Sequence, residues 1–269
     1  MDNSLFAKPR DLFVDIVNPK DYVQIDSVSH MYQSLKTSVQ KPLKMILLYG
    51  RPGTGKSMLL HKLNHDLSKH QKVCMIDIPI IDEDDFLRVL AHKIYSYASR
   101  EALTLTRFLE LSAAVNYPVV PIVLLDEAQL YSTALMEKIR LISDARALKF
   151  VIALHKTDNE EIIAKEHFQT RIWESIELQN ASHEELKIYI QKKLLKANCF
   201  DVASMINEKN IKLINKLTRG NYREANKLMF SLFSLYIWYE ENNPTKIKYN
   251  ALSTKFIEMA AIHTGLIHA

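Results

Sequence analysis

The sequence predicts an α/β protein, in which a parallel sheet flanked by helices is followed by a small all-helical domain. Two observations support this. Short apolar runs alternate with segments of helical periodicity over the first 180 residues, a pattern typical of parallel sheets covered by helices on both faces. After Gln179 no convincing strand pattern occurs. We therefore expect an α/β domain over residues 1–180 and a helical domain over residues 181–269.

The elements of the first part follow from periodicity and from the residues that begin and end each run. Strands are predicted at residues 43–49, 72–78, 119–125, 149–154 and 172–178. Helices are predicted at residues 29–40, 57–67, 84–98, 103–115, 130–143 and 159–166. The acidic run at residues 82–85 favours a helix N-terminus, and Pro118 and Pro121 stand at the entry of a strand, where proline is tolerated.

The second part begins with Ser182-His183-Glu184-Glu185 and has helical periodicity to about residue 262. Its aromatic stretch, Met229 to Tyr239, has the spacing of a helix mostly buried in a small bundle. Residues 181–269 carry 13 Lys and Arg against 8 Asp and Glu, a net charge of +5, whereas residues 1–180 sum to −1. This basic part is either a solvated lysine-rich face or a contact for nucleic acid or an acidic membrane surface.

Apolar runs and cysteine content indicate the cellular compartment of the protein. No run reaches the roughly 18 apolar residues of a membrane-spanning helix, and the N-terminus lacks an apolar segment of signal-peptide length. The two cysteines, Cys74 and Cys199, lie far apart, which suits a reducing compartment and a role as buried small hydrophobic residues. We expect a cytoplasmic protein, with a peripheral position at the inner face of the membrane as a variant.

Three of the five glycines fall within six residues, in a run that matches G-x-x-x-x-G-K-[ST] between a predicted strand and a predicted helix. Backbone N–H groups of such a loop cradle phosphate oxygens, aided by the following helix N-terminus. The lysine reaches the β- and γ-phosphates, and the Ser57 hydroxyl binds Mg²⁺. The predicted ligands are ATP and Mg²⁺, with the nucleotide held by Gly50, Arg51, Pro52, Gly53, Thr54, Gly55, Lys56, Ser57 and Met58.

Two carboxylates, Asp126 and Glu127, follow the apolar run Ile122 to Leu125. The carboxyl end of a buried strand is the ligand-binding end of a parallel sheet. We expect Asp126 to hold the magnesium ion, and Glu127 to orient and deprotonate the attacking water. Together with the lysine loop, these residues predict an ATP-hydrolysing enzyme.

The run DEAQL at residues 126–130, followed by LMEKIR at 135–140, resembles the AAA+ ATPases of the ExeA, GspA and MshM type, which assist type II secretion systems and related pili. The resemblance continues in Gln169-Thr170-Arg171, in EELKIYI at 184–190 and in GNYREAN at 220–226, and covers about residues 25–265. Larger members add a transmembrane helix and a peptidoglycan-binding domain. This chain has neither and resembles the short, soluble members.

The resemblance implies roles for further residues. Arg223 resembles the sensor-2 arginine, which approaches the γ-phosphate from the helical lid. Arg171 resembles the arginine finger, which enters the site of a neighbouring subunit and so implies a homo-oligomeric ring or filament. For sensor 1, where the family usually shows Gly-Gln, His155, Lys156 and Thr157 compete, and we favour His155. Tyr22 and Val23 stand where the family lines its adenine pocket, and a plain core role fits them equally well.

Three functions compete on this basis. The leading one is an ATPase that drives assembly or operation of a secretion, pilus or DNA-uptake machine, with a membrane-bound partner. The second is a DNA-associated ATPase, such as a transposition helper or a replication-initiator relative, which the basic lid favours. About 26 residues follow Asn243, too few for the winged-helix domain that initiators commonly carry. The third is a nucleotide-gated switch without turnover, which the presence of Glu127 disfavours.

Overall fold

The computed structural model describes residues 4–99, 101–115, 117–155 and 172–267. The predicted helix at 159–166, the sensor candidates Lys156 and Thr157, and Arg171 lie outside the described residues. The chain forms two compact units: residues 27–178, here the α/β unit, and residues 1–26 with 179–269, here the helical unit. The sequence pattern instead predicts residues 1–26 as part of the α/β domain, and the structure corrects this.

The α/β unit contains a five-stranded, all-parallel sheet, which confirms the predicted fold class. Its strand order is β2-β3-β4-β1-β5. The strands are β1 (Met45–Gly50), β2 (Val73–Ile76), β3 (Ile122–Leu125), β4 (Lys149–His155) and β5 (Ile172–Leu178). Strand β3 is buried along its whole length and β1 along all but one residue, as the continuous apolar runs of a parallel sheet require.

Five described helices lie in this unit, apart from Asp26, the first residue of α2: α2 (Asp26–Gln40), α3 (Lys56–Leu67), α4 (Glu83–Tyr95), α5 (Leu105–Ala114) and α6 (Thr133–Asp144). Three of them begin at a polar side chain that accepts a backbone N–H of the first turn, namely Asp82, Thr104 and Ser132. The apolar side predicted for the helix after the glycine loop is buried as expected, with Leu59, Leu60, Leu63 and Leu67 all in the core.

The helical unit consists, in its described part, of helices and short turns without a strand. Its helices are α1 (Ala7–Leu12), α7 (His183–Lys196), α8 (Phe200–Met205), α9 (Glu208–Thr218), α10 (Tyr222–Asn242) and α11 (Thr254–His263). Helix α7 begins with a capping box between Ser182 and Glu185. Among the described helices, none is long and apolar enough to cross a lipid bilayer.

Aromatic packing explains why the first residues belong to the helical unit. Phe6 and Phe13 are fully buried. The Phe6 ring lies 4.4 Å from that of Tyr236, and the Phe13 ring lies 5.8 Å from that of Phe233, both on α10. Six helical residues at a chain end are too few to show which core they join, so the sequence carried no sign of this packing. Cys74 and Cys199 are both free and buried, as expected.

Candidate functional site

The loop between β1 and α3 begins and ends at glycines with different structural duties. A Cβ atom on Gly50 would lie 2.3 Å from the carbonyl oxygen of Leu178 on β5, so only glycine fits there. Gly55 has φ +98°, a left-handed conformation that favours glycine, and nothing lies within 4 Å of where its Cβ would be. The loop therefore turns tightly against the sheet and leaves open space in front of the start of α3.

Lys56, the first residue of α3, is 5 % exposed although it carries a charge. Its Nζ donates hydrogen bonds to the carbonyl oxygens of Gly50 at 2.8 Å and Arg51 at 3.1 Å. The Thr54 hydroxyl donates to the Arg51 carbonyl as well, at 2.8 Å. The ammonium group of Lys56 is thus hydrogen-bonded to carbonyls of its own loop. It lies at the N-terminus of α3, whose positive dipole end favours an anion.

The rest of the loop is more open. Arg51 and Pro52 are exposed, and Gly53, Ser57 and Met58 are partly buried. Ser57 lies in the first turn of α3, directly after Lys56. Its hydroxyl oxygen is of the kind that Mg²⁺ binds beside phosphate groups.

Asp126 follows β3 and is 4 % exposed. Its Oδ1 accepts the backbone N–H of Glu127 at 2.9 Å, but within the described part of the chain no lysine, arginine or histidine forms an ion pair with it. Burial of a carboxylate without a cation is unfavourable. The residue therefore fits a magnesium ion as its missing countercharge.

The strand order brings the Lys56 loop and the two carboxylates, Asp126 and Glu127, to the same edge of the sheet. Strand β4 lies between β1 and β3, with Gly50 paired to His155 and Leu125 to Ile152. The loop consequently follows β1, the two carboxylates follow β3, and His155 is the last residue of β4, so all of them lie at the carboxyl ends of neighbouring strands. This edge is where open parallel sheets bind their ligands.

Glu127 is held by two side chains. His155 Nε2 lies 3.0 Å from Glu127 Oε1, and Gln129 Nε2 donates to Glu127 Oε2 at 2.5 Å. The same Gln129 nitrogen lies 3.1 Å from His155 Nδ1, and Gln129 Oε1 accepts the backbone N–H of His155 at 3.3 Å. Glu127 also has φ +50°, a conformation that costs on the order of 1 kcal/mol outside glycine. We name this set of three side chains the glutamate clamp.

Hydrogen-bond roles in the clamp follow from the amide of Gln129. An amide nitrogen only donates, so His155 Nδ1 accepts the hydrogen bond from Gln129 Nε2. The proton of the imidazole ring therefore sits on His155 Nε2, which faces Glu127. Both carboxylate oxygens of Glu127 are then engaged. The sequence predicts no separate role for Gln129, which lies within the DEAQL run at residues 126–130. The local signal for such a role is a polar residue two positions after the catalytic candidate Glu127.

Other predicted site residues lie in the helical unit. Arg223 is the second residue of α10, its side chain is 43 % exposed, and its Nε lies 3.3 Å from Asp15 Oδ2. Asn221 caps this helix by accepting the backbone N–H groups of Arg223 and Glu224. Val23 is buried and Tyr22 half-buried in the same unit.

Comparison with known proteins identifies the fold. Residues 40–162 match the family model described as an AAA domain. A search of curated proteins found no significant match. The sequence resemblance to the ExeA, GspA and MshM type is not confirmed by these comparisons; they support the broader AAA domain.

Solved structures of the same fold include the Aeropyrum pernix Orc1 protein in complex with DNA, with a TM-score of 0.66 and 12% identity over 95% of this chain and 69% of that chain. Cdc6p from Pyrobaculum aerophilum gives a TM-score of 0.65 and 14% identity over 96% of this chain and 71% of that one. The Thermotoga maritima RuvB Holliday junction branch migration motor gives 0.57 and 18% over 94% and 73%. At such identities the likeness establishes the P-loop AAA+ fold.

Proposed function

We propose that this protein is an ATPase that binds ATP with Mg²⁺ at the Gly50–Met58 loop and hydrolyses it with Glu127. The observation that carries the proposal is Asp126, a buried carboxylate without a cationic partner in the described chain, next to Glu127 and on the sheet edge that also bears the Lys56 loop. The AAA domain match over residues 40–162 supports it.

Lys56 binds the β- and γ-phosphates, for which it exchanges its bonds to the Gly50 and Arg51 carbonyls. Ser57 and Asp126 hold Mg²⁺, the ion that neutralises charge on the phosphate oxygens when bound. The storage of Lys56 within the loop keeps its ammonium group near the position where it acts, which lowers the reorganisation that binding requires.

Glu127 acts as the general base that orients and deprotonates the attacking water. Each carboxylate oxygen of Glu127 has one partner in the glutamate clamp and keeps a second lone pair. Glu127 can therefore accept a proton from water while Gln129 and His155 hold it in place. Gln129 and His155 are positioning residues that act through Glu127. The contact of His155 with Glu127 supports its proposed role as the sensor residue.

The direct test is release of inorganic phosphate from ATP by the purified protein. We expect steady turnover with Mg²⁺ and none with EDTA. Asp126→Asn should raise the magnesium concentration needed for half-maximal rate, since it removes the charge that holds the ion. Absence of both nucleotide binding and turnover in folded protein would overturn the proposal.

Two arginines bear on the oligomeric state of the active protein. We assign Arg223 to the γ-phosphate and Arg171 to the site of a neighbouring copy, so the active form is a homo-oligomer. An arginine finger contributes ~10³-fold or more in the best-studied P-loop enzymes. Arg171→Ala should lose most activity and keep ATP binding. An equimolar mixture of Arg171→Ala and Lys56→Ala should regain part of the ATPase activity, because some interfaces then combine an intact nucleotide site with an intact arginine finger. A mixture as inactive as either variant alone would contradict a role of Arg171 across subunits.

For the biological role we propose that ATP turnover drives assembly or operation of a secretion, pilus or DNA-uptake machine, through a membrane-bound partner at the cytoplasmic face. The support is the motif resemblance at residues 126–140, 169–171, 184–190 and 220–226. Affinity capture from native cells with the hydrolysis-blocked Glu127→Gln protein tests it. Recovery of membrane proteins of such a machine is the expected result.

A DNA-associated role is the second candidate. Two observations favour it: similar folds include Orc1 in complex with DNA and the RuvB branch migration motor, and residues 181–269 carry a net charge of +5. In the same capture experiment, recovery of DNA and DNA-bound proteins, sensitive to nuclease, would favour this candidate over the first.

A further inference from the structure

A row of four cations follows one face of α9. Lys209, Lys212 and Lys216 lie in the helix, and Arg219 follows its last residue. Spacings of three and four residues place side chains on one side of a helix. All four residues are exposed. At 1.5 Å per residue the row, here the basic row, extends over about 15 Å.

The described residues supply no countercharge to the basic row. Within the chain as described, none of its four residues forms an ion pair, in contrast to Lys187, which pairs with Glu208 at 2.9 Å, and Lys227, which pairs with Glu224 at 3.0 Å. Glu208 is the single carboxylate of α9, and His183 and Lys187 already bind it. The charge of the row is therefore presented to solvent.

We propose that the basic row binds the phosphate backbone of nucleic acid. Duplex DNA carries one phosphate per about 1.7 Å of helix axis when both strands are counted, so a row of cations about 15 Å long lies within reach of several phosphates. Cations that contact phosphates release condensed counterions, which drives binding without base recognition. The row thus predicts salt-sensitive binding without strong sequence preference.

The apolar side of α9 argues against an anionic membrane as the partner. A helix that binds a bilayer surface inserts an exposed apolar face between the lipids. In α9, Ile211 and Ile214 are fully buried, and Leu213 and Leu217 pack against the same core of the helical unit. The helix therefore offers charge without an apolar face to insert.

The test measures binding of a fluorescein-labelled 30-base-pair duplex by anisotropy, without nucleotide, between 50 and 200 mM KCl. The variant Lys209→Gln/Lys212→Gln/Lys216→Gln should weaken binding at 100 mM KCl at least ~10-fold. Its salt slope should fall by about 2.7, from a contribution of about 0.9 per phosphate contact. Arg219→Asn should remove a further contact; asparagine is chosen because φ is +52° there.

The matched control is Lys8→Gln/Lys20→Gln/Lys248→Gln, which removes three exposed lysines from other segments of the same unit. It lowers the net charge equally and should change affinity less than ~2-fold. Equal weakening by both triples would show a net-charge effect and overturn the proposal, as would a wild type that does not bind the duplex at 50 mM KCl. The proposal would also be overturned if the wild type bound phosphatidylserine vesicles but not DNA and the α9 triple variant lost the vesicle binding.

This inference gives a surface to the second candidate function and is independent of ATP turnover. The α9 triple should hydrolyse ATP at the wild-type rate when no DNA is present. Lys56→Ala should in turn bind the duplex with wild-type affinity while failing to bind ATP. Failure of the ATPase proposal and failure of the basic row therefore appear in different measurements. Far-UV circular dichroism melts verify that each triple is folded.

Discussion

Each unit encloses a lysine, and the two are surrounded in opposite ways. Lys56 in the α/β unit donates to two backbone carbonyls of its own loop, at a helix N-terminus that faces open space. Lys193 in the helical unit lies between aromatic rings, with its Nζ 4.9 Å from the Phe13 centroid and 5.2 Å from that of Tyr189. It also donates to the Tyr189 hydroxyl at 3.1 Å.

The difference separates a lysine that can exchange its partners from one enclosed by the fold. Around Lys193, burial lowers the pKa of the ammonium group to about 8, while the charges of Asp21 and Asp15 oppose that change. Side chains of the helical core surround it. Near Lys56 there is a left-handed glycine with free space, and the same sheet edge bears a buried carboxylate without a cation in the described residues. Burial by itself does not mark a functional lysine; the groups that face it do.

The largest expected effect tests the first half of this contrast. Lys56→Ala should weaken ATP binding at least ~100-fold, because it removes charge-assisted hydrogen bonds of about 1.5–3 kcal/mol each. Without nucleotide, its free energy of unfolding should change by less than about 1 kcal/mol. Titration calorimetry and urea unfolding measure the two quantities. The control is Lys62→Ala, which removes a lysine of the same helix that pairs with Asp66; near-normal ATP affinity of Lys56→Ala would refute the loop assignment.

Glu127→Gln separates binding from chemistry at the same sheet edge. It keeps the shape and an acceptor oxygen but cannot take a proton, so turnover should fall ~100-fold or more. ATP affinity should stay within a few-fold of wild type. Single-turnover phosphate release gives the rate, with the exposed Glu137→Gln as control. Unchanged turnover would assign the base to another residue.

Gln129→Leu sharpens the picture of the glutamate clamp. Loss of one hydrogen bond to Glu127 and two to His155 should lower kcat ~10-fold, with KM nearly unchanged, since Gln129 acts by positioning the base. The decisive readout is the Glu127→Gln background, in which Gln129→Leu should have no further effect on rate. A full additional loss there would mean that Gln129 acts independently of Glu127.

The smallest effect concerns Lys193 and is one of stability. Because burial lowers its folded pKa below the ordinary value of 10.5, the unfolded chain binds the extra proton between about pH 8 and 10.5, and wild-type stability rises with pH there. Lys193→Met should be more stable than wild type by about 1–3 kcal/mol at pH 6–7, and this advantage should shrink toward pH 10. Lys193→Arg, charged throughout, should show no such recovery. Urea unfolding at several pH values measures all three proteins.

Local patterns accounted for much of the α/β unit. The run Met45 to Gly50 is apolar enough to be a central strand, and glycines at 53 and 55 mark a loop that must turn with positive φ. The observed strand 172–178 has the predicted limits. Other boundaries moved by a few residues, as at the strand after Pro118, which begins only at Ile122, because a strand ends where its partner's hydrogen bonds end.

The sequence by itself determined the chemistry that is available: a glycine-rich loop with Lys56, carboxylates at a strand end, and cations spaced for one helix face. The tertiary structure alone decided which groups meet. Strand β4 lies between β1 and β3, so His155 contacts Glu127 and Gln129, and Phe6 packs on α10 more than 200 residues away in sequence. Periodicity reports only on neighbours within a turn or a strand, whereas strand order and core membership depend on the total burial achieved between distant segments.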